Sequence, residues 1–160
     1  MLMFEQIQDQ VSQVLSADGN FCEPAWNYNG IAFWDLTQGY LVTVTEDVDF
    51  VIEGDPIPFD ADIQLREGRN WIAYFPDFEL DASAPDFYVL SPIIDVVVRA
   101  ADWQGNIMIP DDNFSNMEPW HEGMGYEVEV TEGVILNYPN IPQLGWLVPV
   151  SYTHLTLPTN

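Results

Sequence analysis

Gly125-Tyr126-Glu127-Val128-Glu129-Val130-Thr131-Glu132-Gly133-Val134-Ile135-Leu136 is the stretch whose pattern decides the fold. Apolar residues at 126, 128 and 130 alternate with Glu127 and Glu129. That is the period of two expected of a half-buried strand, because successive side chains leave opposite faces of a sheet. Glu132-Gly133 interrupts the run before Val134-Ile135-Leu136, so the stretch reads as strand, turn and return strand, a hairpin. The same pattern stands 86 residues upstream as Gly39-Tyr40, Val42, Val44-Thr45-Glu46 and Val48.

Working outward, the match continues without a gap from Ile7–Phe50 to Ile93–Leu136. Asp9 and Asp95, Gly19-Asn20 and Gly105-Asn106, Pro24 and Pro110, Asn27 and Asn113, and Trp34 and Trp120 are identical pairs. Apolar character persists where identity does not, as at Cys22 and Met108 or Ile31 and Met117. The chain therefore contains an internal repeat. Within the second copy, Asp95–Ala101 reads as a strand, Gln104-Gly105-Asn106 as a turn, Ile107–Pro110 as a return strand and Asp111–Asn116 as a polar loop. Ahead of it Ile63–Phe75 reads as a leading strand, Asp81–Pro85 as a helix start and Phe87–Leu90 as a short helix. Phe4, Ile7, Val11 and Val14 have helical spacing, but the repeat aligns Val11 with Val97 in a strand; a helical turn is expected only before Val11.

The expected fold is mainly β, an antiparallel sandwich or barrel-like arrangement of two pseudo-equivalent repeats with one or two short helices. The expected division is 1–54 as an incomplete first repeat that begins inside a module, 55–138 as the second repeat, 139–149 as a C-terminal remnant and 150–160 as a tail. Val150–Thr159 resembles the conceptual translation of a transposase-type sequencing adapter, which implies that native sequence ends near Pro149.

Composition narrows the function classes. Apolar residues make up 48% of the 160-residue chain, with six Trp, seven Tyr and nine Phe, enough to fill a core. Twenty-six acidic residues face three arginines and no lysine, a net charge of −23. Nucleic acid and anionic membrane surfaces are excluded as partners by that balance, since both need clustered basic residues. No apolar run long enough for membrane insertion is present, nor is a signal peptide at the start. Cys22 stands alone, so an intrachain disulfide is excluded.

No catalytic constellation is found, and the expected reading is not an enzyme. His121 lacks a matched nucleophile and aligns with Asp35 in the first copy. Glu127 and Glu129 share a strand face at a spacing compatible with paired-carboxylate hydrolysis, but they align with Leu41 and Thr43 and read as a solvated face. No cofactor is expected. Calcium is the one ion for which the sequence offers hard oxygens, at Asp111, Asp112 and Asn113, although they do not follow a calcium-loop template. Trp34 and Trp120 hold one position in both copies and read as core. Trp26 and Trp103 are unpaired across the copies and are the expected exposed ligand contacts.

Glu23-Pro24-Ala25-Trp26-Asn27-Tyr28-Asn29-Gly30-Ile31, Thr37-Gln38-Gly39-Tyr40 and Gly68-Arg69-Asn70-Trp71-Ile72 together resemble tandem Gly-Trp-Asn / Gly-Gln-Gly-Tyr modules of large secreted bacterial proteins, of the type IX secretion cargo kind. Asp111-Asp112-Asn113 departs from that pattern in the second copy, and the hairpin lysine of the family is missing from both. The resemblance implies an extracellular or cell-surface location and an accessory, non-enzymatic role: spacer, adhesion element or sorting-adjacent domain. Its implied partners are neighbouring domains of the parent protein, or an extracellular glycan or protein. The alternative is a carbohydrate-binding module with calcium dependence.

Overall fold

Residues 2–51 and 54–141, and the strand at 154–157, are described by the structure, a computed structural model. In the first copy a 3₁₀ turn at Leu2–Ile7 leads into β1 (Val11–Ser16), β2 (Phe21–Glu23), β3 (Tyr28–Asn29), β4 (Tyr40–Val44) and β5 (Val48–Val51). In the second, β6 (Ile63–Leu65) and β7 (Gly68–Ala73) precede a 3₁₀ helix at Tyr88–Val96. There follow β8 (Val97–Ala101), β9 (Ile107–Ile109), β10 (Phe114–Ser115), β11 (Gly125–Val130) and β12 (Val134–Leu136), and β13 (His154–Leu157) comes last.

All pairings are antiparallel. The first copy forms a sheet ordered β3-β2-β1-β4 and the second a sheet ordered β10-β9-β8-β11-β7; β12-β6 and β13-β5 form two-stranded sheets. The mainly β expectation holds, and among the described residues no sheet closes into a barrel. Each copy buries its own apolar cluster. Phe4, Ile7, Val11, Val14, Cys22, Ile31, Val44 and Phe50 make the smaller. The larger runs from Ile63 to Tyr138 around Trp120 and Tyr74.

Three readings of the sequence need correction. The expected hairpins do not close on themselves, because β12 pairs with β6 instead of β11, and β5 with β13 instead of β4. Thr131 N–H donates to Val96 O and Thr45 N–H to Gln10 O, both at 2.9 Å, so each strand stays bound to its earlier neighbour up to the turn and then leaves for a second layer. The leading strand at 63–75 is broken into β6 and β7. Asn70 folds back at the break, its Oδ1 accepting Arg66 N–H at 2.9 Å and its Nδ2 donating to Arg66 O at 2.8 Å, while Gly68 takes φ +90°. The short helix begins at Tyr88 and runs on to Val96, because Val89, Leu90 and Ile93 all find places in the core.

Candidate functional site

The repeat extends to individual hydrogen bonds. Asn27 and Asn113 both adopt left-handed backbone (φ 49° and 51°) after a Pro-led 3₁₀ turn, each donating its N–H to the proline carbonyl. Asparagine suits this position because its short polar side chain tolerates positive φ. Tyr40 Oη accepts Asp35 N–H at 2.9 Å, as Tyr126 Oη accepts His121 N–H at 3.4 Å. Gly30 N–H reaches Phe21 O at 2.8 Å, as Asn116 N–H reaches Ile107 O at 3.1 Å.

The two copies differ in how well they are covered. Trp120 is fully buried and stacks on Tyr126 with ring centroids 3.8 Å apart and planes 2° apart. Trp34 is half-buried and meets Tyr40 at 4.8 Å and 58°. Burial raises the phenol pKa of Tyr126 to about 12, against a backbone hydrogen bond from His121 that lowers it. Burial likewise lifts Tyr74 and Tyr138, with neighbouring tyrosines adding to it.

Trp26 is 72% exposed at the turn between β2 and β3, and Trp103 is 54% exposed at the turn between β8 and β9. These are non-equivalent turns, at opposite ends of the repeated frame. Asp111 and Asp112 follow Pro110 as exposed residues of a 3₁₀ turn that Asn113 caps. Among the described residues, no three His, Cys, Asp or Glu side chains converge to hold a metal ion. His121 is exposed, its Nδ1 lying 3.3 Å from Pro119 O.

Glu127 and Glu129 stand in an ion-paired network across three strands. Arg99 on β8 lies 3.4 Å from Glu127, and Arg69 on β7 lies 3.5 Å from Glu129 and 3.9 Å from Glu127. Trp71 Nε1 donates to Glu127 Oε2 at 3.3 Å. Two of the three arginines are thus held on one sheet face, and the third, Arg66, lies 3.6 Å from Asp18. The arrangement ties β8, β11 and β7 together. It leaves Glu127 as an acceptor already engaged by three side chains.

One set of residues escaped the sequence reading. Phe33, Leu36 and Leu41 are exposed, Phe33 by 90%, and their counterparts in the second copy are Pro119, Glu122 and Glu127. The signal lay in the alignment itself, at positions where an apolar residue in one copy meets a charged residue or proline in the other. Among the described residues, no helix is long and apolar enough to cross a membrane. No protein-family model, curated protein or solved structure matches the chain.

Proposed function

We propose that the chain is a non-catalytic accessory module of a larger secreted or surface protein, serving as a spacer, adhesion element or sorting-adjacent domain outside the cell. The observation that carries this reading is that duplication preserved the frame and not the chemistry. Turn asparagines, glycines and Tyr–backbone bonds recur in both copies, whereas His121, Glu127, Glu129, Asp111 and Asp112 are matched by Asp35, Leu41, Thr43, Ala25 and Trp26. A scaffold repeats what holds it together, while a catalytic site needs its reacting groups in at least one complete set. The Gly-Trp-Asn / Gly-Gln-Gly-Tyr resemblance supports the extracellular assignment. Protease shaving of intact producing cells tests it: peptides of this chain should be released before any cytosolic marker, and recovery only after lysis sinks the reading.

A second reading, a carbohydrate-binding module, is favoured by the exposure of Trp26 and Trp103. Exposed aromatic faces stack on the apolar faces of sugars. Titration of the chain with soluble glycans, with and without calcium, separates the two. Saturable fluorescence change that is lost in Trp26→Ala or Trp103→Ala makes the module a glycan binder, and an unchanged signal across the panel leaves the spacer reading.

A further inference from the structure

The first copy carries an open edge whose equivalent in the second copy is filled. In the second copy β11 lies between β8 and β7, with Tyr126 opposite Ile72, Val128 opposite Asn70 and Val130 opposite Gly68. Among the described residues its counterpart β4 has β1 on one side and ends its sheet on the other.

The hydrogen-bond phase identifies which groups are open. Ser16 N–H donates across the β1–β2 turn to Asn20 O at 2.8 Å, so alternation along β1 directs Val14 and Ser16 to β2, and Gln13 and Leu15 to β4. Leu41 and Thr43, opposite Leu15 and Gln13, are therefore bound to β1. Thr37 and Gly39, in the same phase, exchange bonds with β7: Gly39 N–H with Trp71 O and Ala73 N–H with Thr37 O, both 3.0 Å. The even set, Tyr40, Val42 and Val44, faces the outer edge. In the second copy the corresponding Tyr126, Val128 and Val130 are the residues facing β7, in phase with Tyr74 N–H donating to Met124 O at 2.9 Å.

Three further observations favour an occupant. Tyr40 and Val42 are only half-buried where Tyr126 and Val128 are buried. The edge sequence Tyr40-Leu41-Val42-Thr43-Val44 has no charge and no proline, the usual devices that stop strangers from pairing. In the second copy the neighbouring strand β12 is covered as well, with Ile63 and Leu65 of β6 opposite Leu136 and Val134.

We propose that the outer edge of β4 is a strand-acceptor site for an antiparallel segment of the β7 type, a Gly-x-Asn-x-Ile strand placing Ile opposite Tyr40 and Asn opposite Val42. Main-chain bonds to the even set supply affinity, and alternate side chains supply selectivity. In the second copy Arg69 answers Glu129, but Thr43 stands at that place in the first, so the occupant carries an uncharged residue where β7 has Arg69.

The test uses the full chain and a synthetic peptide covering Leu65–Phe75 with Leu in place of Arg69. Amide hydrogen exchange at Tyr40, Val42 and Val44 should slow by about tenfold or more on saturation. Methylating the peptide nitrogen at the Ile72 position should abolish the effect, and methylating the one at Trp71, which faces the other way, should preserve it. Val42→Pro in the chain, which removes an edge donor unused by β1, should also abolish it. No protection at those three amides up to millimolar peptide overturns the proposal. So does equal binding by both methylated peptides, and so does protection confined to β11 amides, which would mean exchange with the resident β7.

Discussion

Trp120 and Trp34 occupy one position in the repeat but not one environment. With Trp120 fully buried against Tyr126, Tyr74 and Tyr138, Trp120→Ala should cost about 3–5 kcal/mol, the range for large aromatic truncations in a core. Trp34→Ala should cost clearly less, because its ring is only half-buried beside Phe4 and Tyr40. Urea unfolding of the two variants checks this, and equal losses would refute the difference in cover. Trp120 Nε1–H is buried with no hydrogen-bond partner among the described residues, so Trp120→Phe should be milder than its lost area suggests. At this scale the sequence was informative about core and turns, since identity across copies selected Trp120, Asn27, Asn113, Gly19 and Gly105. It was silent on Asn70, whose fourfold bonding to Arg66, Gly68 and Val128 rests on a backbone reversal that no periodicity encodes.

Among the elements, β7 joins the copies. Its inner edge completes the sheet of the second copy, and its outer edge receives Thr37 and Gly39 of the first. Equivalent glycines flank Ile72: a Cβ added at Gly39 would lie 3.0 Å from Ile72 O, and one at Gly125 would lie 3.6 Å from the same oxygen. Gly39→Ala should therefore destabilise the junction by about 1–3 kcal/mol, since the obstacle is backbone that side-chain rotation does not clear. Gly125→Ala, at ordinary contact distance, should cost less. The measurement is differential scanning calorimetry: one transition in the wild type separating into two in Gly39→Ala supports the junction, and identical traces for both variants rule it out. Alternation made β4 and β11 legible as strands and the repeat made them equivalent. Their partners were not legible, because pairing depends on which edge another segment reaches, and β12 finds β6 across a long separation in sequence. The candidate surface was legible in part. Trp26 and Trp103 are as exposed as their lack of counterparts suggested, whereas the edge of β4 emerged only from hydrogen-bond phase.

For the whole molecule, acidity and buried phenols set the response to pH. Tyr126 is raised from 10.0 to about 12, and Tyr74 and Tyr138 are raised too, so the folded state holds these protons more tightly than the unfolded chain does. For Tyr126 that contribution to stability is fully present below pH 10 and is lost as pH rises through about 12, and the burial of Tyr74 and Tyr138 acts in the same direction. Tyrosinate absorbance from this cluster should appear together with collapse of the near-ultraviolet circular dichroism, and titration of all seven tyrosines near 10 with the signal intact would contradict it. The junction at Ile72 also has a mechanical meaning. Residues 52–62 connect β5 to β6 and can reach at most on the order of 40 Å when drawn straight. Tension drawn between the two copies meets the Thr37 and Gly39 bonds to β7 and the β13–β5 pairing before it meets either core. The chain then lengthens by the slack of that connector while both sheets stay intact, so the molecule extends in two stages, a soft release followed by a stiff limit.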